Sequence, residues 1–300
     1  PTLRNTFSNS RENHAIIGAV SKIDITEEKI TSLDVNYRYR SSTVKARLTG
    51  YYSLVSDANE ISFFYADGLS GVFGERAFVQ ELLQGVEKKQ LGLEFGIEAQ
   101  VMPTIALKGA LSMGQFTYNN NPNLVLTSNG FPNGIDYEEA NLKNYKIAGG
   151  PQRAASVGFE YRDPKYWWFG ATANFFSNAY LDVSSLTRTK NFYLETDGFP
   201  FPDYDPTLAR TLLTQEKFDS YMVINAVGGK SWRIGKKYLG LFVSLNNLLD
   251  IEYKTGGFEQ GRNANYPSLK TDVNHPTRRF GPKYWYGRGA TYFINLNLRF

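Results

Sequence analysis

Few side chains in this sequence could do chemistry, and most lack the company that chemistry needs. His14 and His275 are the only imidazoles, and there is no cysteine. Disulfide scaffolds, Cys-ligated zinc, iron–sulfur clusters and thiol catalysis are thereby excluded. A nucleophile would need one of the two histidines as its base, and neither sits in a motif that supplies a partner. Gly228-Gly-Lys-Ser231 looks like the tail of a phosphate-binding loop, but the Gly required five residues before Gly229 is Ile224. That segment reads better as a strand end and turn. Asp197, Asp203 and Asp205 could offer carboxylates to a calcium ion, yet their spacing misses the calcium-loop pattern, so they read as solvated loop acids. No catalytic residue, cofactor site or metal site is assigned. The remaining candidates are aromatic: Phe63, Tyr65, Phe131, Tyr137, Phe192, Tyr193, Phe199, Tyr204 and Phe258, all within long polar connections. Such rings stack on a sugar, a peptide or an aromatic chelate, or they pack the connections against one another. The sequence leaves both readings open.

The composition narrows what can position these rings. Thirty-three basic and 29 acidic residues leave a net charge of +4 over 300 residues, too little for a nucleic-acid surface. Mean hydropathy is −0.38, and no apolar run is long enough for a membrane-spanning helix. Yet 20 Tyr, 21 Phe and 4 Trp make the chain 15% aromatic. Polar on average and rich in aromatics describes a soluble β protein or a membrane β-barrel. There is no signal-peptide pattern at Pro1. Helical periodicity is confined to Phe78–Val86 and Pro206–Gln215.

Alternation with a period of two dominates the rest. Leu33, Val35, Tyr37 and Tyr39 share one face of Ile30–Arg40, with Asp34, Asn36, Arg38 and Arg40 on the other. The same pattern runs through Val44–Val55 and Lys89–Val101, where Leu91, Phe95 and Ile97 oppose Glu94 and Glu98. Further strands are predicted at Ile105–Tyr118, Ala154–Arg162, Tyr166–Leu181, Glu216–Trp232, Lys237–Asp250 and Tyr286–Phe300. Nine long strands result.

Their connections alternate between tight turns (Ser41–Thr43, Met102–Thr104, Asp163–Lys165, Arg233–Lys236) and stretches of more than 30 residues (Ser56–Lys88, Asn119–Arg153, Asp182–Gln215, Ile251–Trp285). Structureless loops that long argue against a compact soluble domain. Short inner turns and long outer loops are the pattern of an outer-membrane barrel. Aromatics fall near both sets of strand ends: Tyr39, Tyr166, Trp167, Trp168, Trp232 and Tyr238 near the turns, and Tyr51, Tyr52, Phe116, Tyr118, Phe175, Phe176, Tyr180, Trp285 and Tyr286 near the long loops. Two such girdles are what a barrel needs at its two interfaces. The fold class read from these patterns is all-β, an antiparallel transmembrane β-barrel. Leu33, Val35, Leu91, Phe95, Ile97, Leu241, Val243, Ile294 and Leu296 are expected to face lipid. Charged strand residues such as Lys45, Arg47, Glu94, Glu98, Lys108, Glu160 and Arg162 are expected to face the lumen.

The last strand, Ala290-Thr-Tyr-Phe-Ile-Asn-Leu-Asn-Leu-Arg-Phe300, resembles the C-terminal signature of outer-membrane proteins, with Tyr292, Ile294, Leu296, Leu298 and Phe300 alternating on one face. That resemblance implies recognition by the barrel-assembly machinery. Val243-Ser-Leu-Asn-Asn-Leu-Leu-Asp250 with Tyr253 resembles a segment near the end of TonB-dependent receptors. Gly150-Pro-Gln-Arg-Ala-Ala-Ser-Val-Gly158, Tyr161-Arg-Asp-Pro-Lys-Tyr-Trp-Trp168, Ala46-Arg-Leu-Thr-Gly-Tyr-Tyr52 and Arg4-Asn-Thr-Phe7 are similar to receptors of this class from Bacteroidetes-type bacteria. The resemblance covers essentially the whole chain. It implies the nine C-terminal strands of a 22-stranded barrel in the outer membrane of a Gram-negative bacterium. Residues 1–29 would be an outer loop or strand remnant, and the N-terminal plug would lie outside this sequence. The implied function is import of a scarce small ligand, glycan or peptide, without catalysis. Implied partners are outer-membrane lipid, the TonB complex acting through the plug, and a surface lipoprotein. Two alternatives stand beside it: a passive porin or structural, secretion-associated barrel, and an outer-membrane enzyme. Closing the nine strands on themselves would set the first and last side by side in parallel, so this segment is not expected to close alone.

Overall fold

The computed structural model describes residues 27–69, 76–128 and 131–300. Arg4–Phe7, His14 and most of the expected 1–29 remnant therefore lie outside the described residues. Nearly all of the described chain is antiparallel β-sheet, and no helix is long and apolar enough to cross a membrane.

Nine strands form one continuous path: β1 (Lys29–Arg40), β2 (Val44–Asp67), β3 (Arg76–Met102), β4 (Ile105–Tyr118), β7 (Arg153–Arg162), β8 (Trp167–Ser177), β9 (Tyr221–Ile234), β10 (Lys237–Asn246) and β13 (Thr291–Arg299). Between these lie the hairpin β5 (Asn123–Ser128) and β6 (Phe131–Glu139), and the separate pair β11 (Lys254–Phe258) and β12 (Lys283–Tyr286). Two short helices, α1 (Pro206–Leu212) and α2 (Tyr266–Asn274), sit in the last two long connections.

The tight turns follow from local chemistry. Ser41 accepts a bond from the Val44 amide through its hydroxyl at 3.0 Å, closing the β1–β2 turn. Asp163 accepts from the Lys165 amide at 2.7 Å, with Pro164 fixing the backbone between them. Gly235, at φ +64°, supplies the left-handed residue that reverses β9 into β10.

Register carries the alternation across every seam. Leu33 opposes Tyr52, which opposes Leu91; Val243 opposes Ile294. All nine residues expected on the apolar face share it, and Leu33, Val35 and Leu296 are 65%, 67% and 69% exposed. Burial in this sheet is therefore not inside a sandwich. Its large apolar residues point outward, which needs a non-aqueous surrounding.

Parity corrects the girdle. Trp167 and Trp232 lie on the apolar side near the turns, with Tyr52 and Phe175 on that side near the loops; Tyr166 belongs to the turn itself, at φ +64°. Trp168, Tyr238, Tyr51, Phe116 and Phe176 stand on the opposite, polar face, because each is one residue out of step with its apolar neighbours.

The two ends of the path, β1 and β13, do not pair with each other; Val35 and Ile294 share no ladder. Both strands are exposed along their whole length.

Two expectations fail. Phe78–Val86 is not helical but part of β3, paired to β2 on one side and β5 on the other. The long connections are not structureless: β2 and β3 continue as a hairpin far past the sheet belt, and the others carry strands and helices.

Candidate functional site

Beyond the long-loop end of the sheet, the connections pack into a cap with its own core. The upper β2–β3 hairpin contributes Ala66, Val79, Leu83 and Val86; the β5–β6 hairpin contributes Leu124, Leu126 and Tyr137, and Leu142 and Leu186 close over them. A second core joins Phe192, Ala209, Tyr266 and Leu269. There Tyr204 meets Tyr266 edge-on at 5.0 Å and Phe192 meets Tyr266 at 6.0 Å.

Polar bonds tie segments far apart in the chain. Arg188 is buried and forks onto Glu259, with Nη2 donating to Oε1 at 3.0 Å and to the Leu213 carbonyl at 3.0 Å. Its guanidinium also lies 5.0 Å from the Tyr145 ring centre. Bidentate pairing of this kind fixes geometry as well as charge. Asn191 donates to the carbonyls of Ala264 at 2.9 Å and Gly68 at 3.3 Å, linking three connections. Asp272 accepts from the amides of Arg279 and Phe280, from Asn263 and from Arg278. Although partial burial opposes ionisation, those donors hold its carboxyl below the usual carboxylate range.

A second set of acids is buried in the cap, and among the described residues few cations match them. Burial pushes the Glu81 carboxyl up to about 7, against hydrogen bonds from Ser62 and Ser185. Asp182 is pushed up to about 6, first by burial, then by Glu60 and Glu259 beside it. Lys88 is the cation nearby and pairs with Glu60. Ionising both Glu81 and Asp182 would place two negative charges in a poorly solvated core, so both carboxyls hold their protons more tightly than solvated acids do.

The structure separates the nine candidate rings. Tyr137 and Phe192 are buried at 4% and 2% exposure and serve the two cores. Phe131 packs partly buried against the first core, and Tyr204 against the second. Phe63 stacks beside Phe78 at 6.4 Å, and Phe258 contacts Trp285 at 5.9 Å. Tyr65, Tyr193, Phe199 and Phe258 remain open to solvent, Phe199 most of all at 70%. Arg262, 5.2 Å from the Tyr65 ring, is a neighbouring residue that sequence reasoning passed over. No spacing signal marks it, since the two are brought together only when the last long connection folds onto β2.

The carboxylates weighed for calcium have separate tasks. Asp197 accepts from the Phe199 amide, Asp203 pairs with Lys270 at 2.9 Å, and Asp205 caps α1 through the Thr207 amide. Gly228–Ser231 lies within β9. His275 bonds the backbone of Thr277 at the end of α2.

Neither a family model nor a curated protein matches the sequence. Solved structures do match in fold. The copper transporter OprC aligns at TM-score 0.51 and 15% identity, over 99% of this chain and 34% of its own. The ferric citrate transporter FecA, in its unliganded form, aligns at 0.51 and 12% identity over 91% of this chain and 31% of its own. The outer membrane transporter YddB from Escherichia coli aligns at 0.50 and 14% identity, over 92% and 33%. The chain thus spans about a third of the length of these transporters. At such identities the likeness is one of fold alone: an antiparallel β-barrel architecture, in keeping with the apolar face and the alternating connections.

Proposed function

We propose that this chain is the C-terminal barrel portion of a TonB-dependent outer-membrane importer of a Gram-negative, Bacteroidetes-type bacterium. The carrying observation is the pairing of an apolar-faced, edge-open antiparallel sheet with a packed cap on its long-loop end. A sheet in lipid cannot leave backbone groups unpaired. The free edges of β1 and β13 are therefore filled by further strands of a larger barrel, about 22 in all. A plug within that barrel would receive energy from the TonB complex.

Tyr65, Tyr193, Phe199 and Phe258 are the rings presented to ligand, and Tyr137 and Phe192 hold the cap that presents them. OprC and FecA carry copper and ferric citrate by name, which favours a metal or metal chelate as cargo over a glycan or peptide. A surface lipoprotein would dock on the same cap. The reading is of a receptor and conduit, without catalysis.

These 300 residues contain no cysteine, so single cysteines placed among them report topology once any cysteine elsewhere in the full protein is replaced. In the full protein in whole cells, Phe199→Cys should react with an impermeant maleimide, and Ser42→Cys should react only after the membrane is breached. Accumulation of radiolabelled ferric chelates, with oligosaccharides and peptides as further probes, should vanish in a strain lacking TonB. Accumulation that survives there would point to a passive porin.

A further inference from the structure

The apolar face ends, on its long-loop side, in three cations. Lys89 directly opposes Thr117, and Thr117 opposes Lys146 across its other edge. Residues opposite one another on a ladder share a face, so both lysines stand on the side that carries Leu91 and Met113. Arg153 opens β7 on that same face, opposite Met113, and is exposed. The strands that carry Lys89 and Arg153 have neighbours on both sides, so these positions are interior to the sheet.

The backbone around the cations is pinned. Gln215 bonds the amide and the carbonyl of Lys146 at 2.9 and 2.8 Å. Gln152, beside Arg153, bonds the amide and the carbonyl of Phe116 at 3.1 and 3.0 Å. The charged groups themselves are not engaged: among the described residues, no carboxylate lies within ion-pairing distance of Lys89, Lys146 or Arg153. Glu87, two residues above Lys89 on the same strand, accepts from the Asn119 side-chain amide at 2.9 Å instead. Below the cations the surface is apolar and stepped. Leu111 and Phe175 are 42% and 45% exposed, and Ala155 lies between them on the ladder, leaving a shallow slot beneath Arg153.

We propose that Lys89, Lys146 and Arg153 form a binding site for one phosphorylated lipid headgroup of the outer leaflet, with an acyl chain lying in the slot at Ala155. The proposal rests on the barrel reading, which puts this face in lipid and the long-loop end at the cell surface. Charge sets the headgroup chemistry, because ammonium and guanidinium groups at the end of an apolar face reach for anions at the interface. The slot sets the source, since a soluble phosphate would gain nothing from Leu111, Ala155 and Phe175. Lys89 and Lys146 flank Thr117 about 10 Å apart, and Arg153 lies four residues further down, about 13 Å along the strand. With strands tilted by about 35–45°, all three fall within roughly 10 Å of one another in height. A headgroup with two phosphates fits that triangle, one phosphate between the lysines and the other at the arginine.

Native mass spectrometry of the full protein, titrated in detergent with a bisphosphorylated glycolipid, tests this. One glycolipid should bind per chain. Its dephosphorylated form should bind roughly a hundredfold more weakly, and so should the phosphorylated form to Lys89→Gln/Lys146→Gln/Arg153→Gln. The charge-keeping set Lys89→Arg/Lys146→Arg/Arg153→Lys should bind as the parent does, which separates lost charge from lost folding. Arg38→Gln/Arg40→Gln/Lys45→Gln, on the polar face, should change nothing. Unchanged binding by the neutralised variant, equal loss in the charge-keeping or polar-face set, or displacement by inorganic phosphate at equal concentration would overturn the proposal. The maleimide topology assay separates the two failures: correct topology with unchanged lipid binding removes the site and leaves the barrel standing.

Discussion

Arg188 and Glu259 lie 71 positions apart, yet their charges meet inside the cap, with the arginine side chain only 2% exposed. The pair joins the connection after β8 to the connection after β10.

Breaking one side of a buried pair leaves an uncompensated charge and typically costs about 3–5 kcal/mol. Glu259→Gln or Arg188→Met should therefore loosen the cap by an amount of that order. Limited proteolysis of the refolded, membrane-embedded protein is the measurement, with new cuts expected between 178 and 220. Replacing both residues by apolar ones of similar volume should restore much of the protection. Equal digestion of the single variants and the parent would show that the pair holds nothing.

Glu81 gives the cap a pH dependence with a defined sign. Its folded pKa of about 7 exceeds the ordinary value of 4.5, so the folded cap binds the proton more tightly than the unfolded chain does. The resulting stability is fully present below about 4.5 and is lost as pH rises through about 7. Asp182, at about 6, acts in the same direction. Amide exchange over residues 78–86 and 182–188, corrected for intrinsic rates, should be slower at pH 5.5 than at pH 8. Glu81→Gln should flatten most of that difference; a pH response untouched by the substitution would assign it elsewhere.

The faces of β13 differ in what they tolerate. Ile294→Arg places a charge on the apolar face and should cost about 2–4 kcal/mol if that face meets the bilayer midplane. Asn295→Arg, on the polar face beside Phe242, should cost far less. Denaturant unfolding from lipid vesicles reads both. Equal costs would mean the alternation does not separate lipid from lumen.

Phe300 is 82% exposed, and the Lys237 ammonium lies 4.4 Å from its ring centre. Deleting Phe300 should reduce the amount assembled in the outer membrane more than the amount synthesised. Immunoblots of membrane and total fractions make the comparison, and unchanged membrane levels would remove the residue from the assembly signal.

Where one face was polar and the other apolar, alternation was readable directly, and Ile105–Tyr118 was legible end to end. Phe78–Val86 misled for a physical reason. There β3 has left the sheet belt and is covered on both sides, so Val79, Gln80, Leu82 and Leu83 are all buried. Two-sided burial erases the period of two, and the surviving apolar spacing imitates a helix turn. The candidate rings were legible as a class and not individually. Phe192 and Phe199 are similar in type and setting along the chain, yet one is sealed against Tyr266 and the other stands open. That difference arises from contacts between the connections after β8 and β10, which no local pattern encodes.

The length of the β2–β3 hairpin sets how far the molecule reaches. A tilted strand needs about 9–11 residues to cross a bilayer, whereas β2 has 24 and β3 has 27. About 13 residues of β2 and about 16 of β3 are surplus, and at about 3.3 Å per residue the shorter run makes a mast of roughly 40 Å along the strand. At the tilt of a membrane strand that length rises about 30 Å, as far beyond the surface as the hydrocarbon layer is thick, so whatever meets the upper hairpin meets it in open solution, before the bilayer.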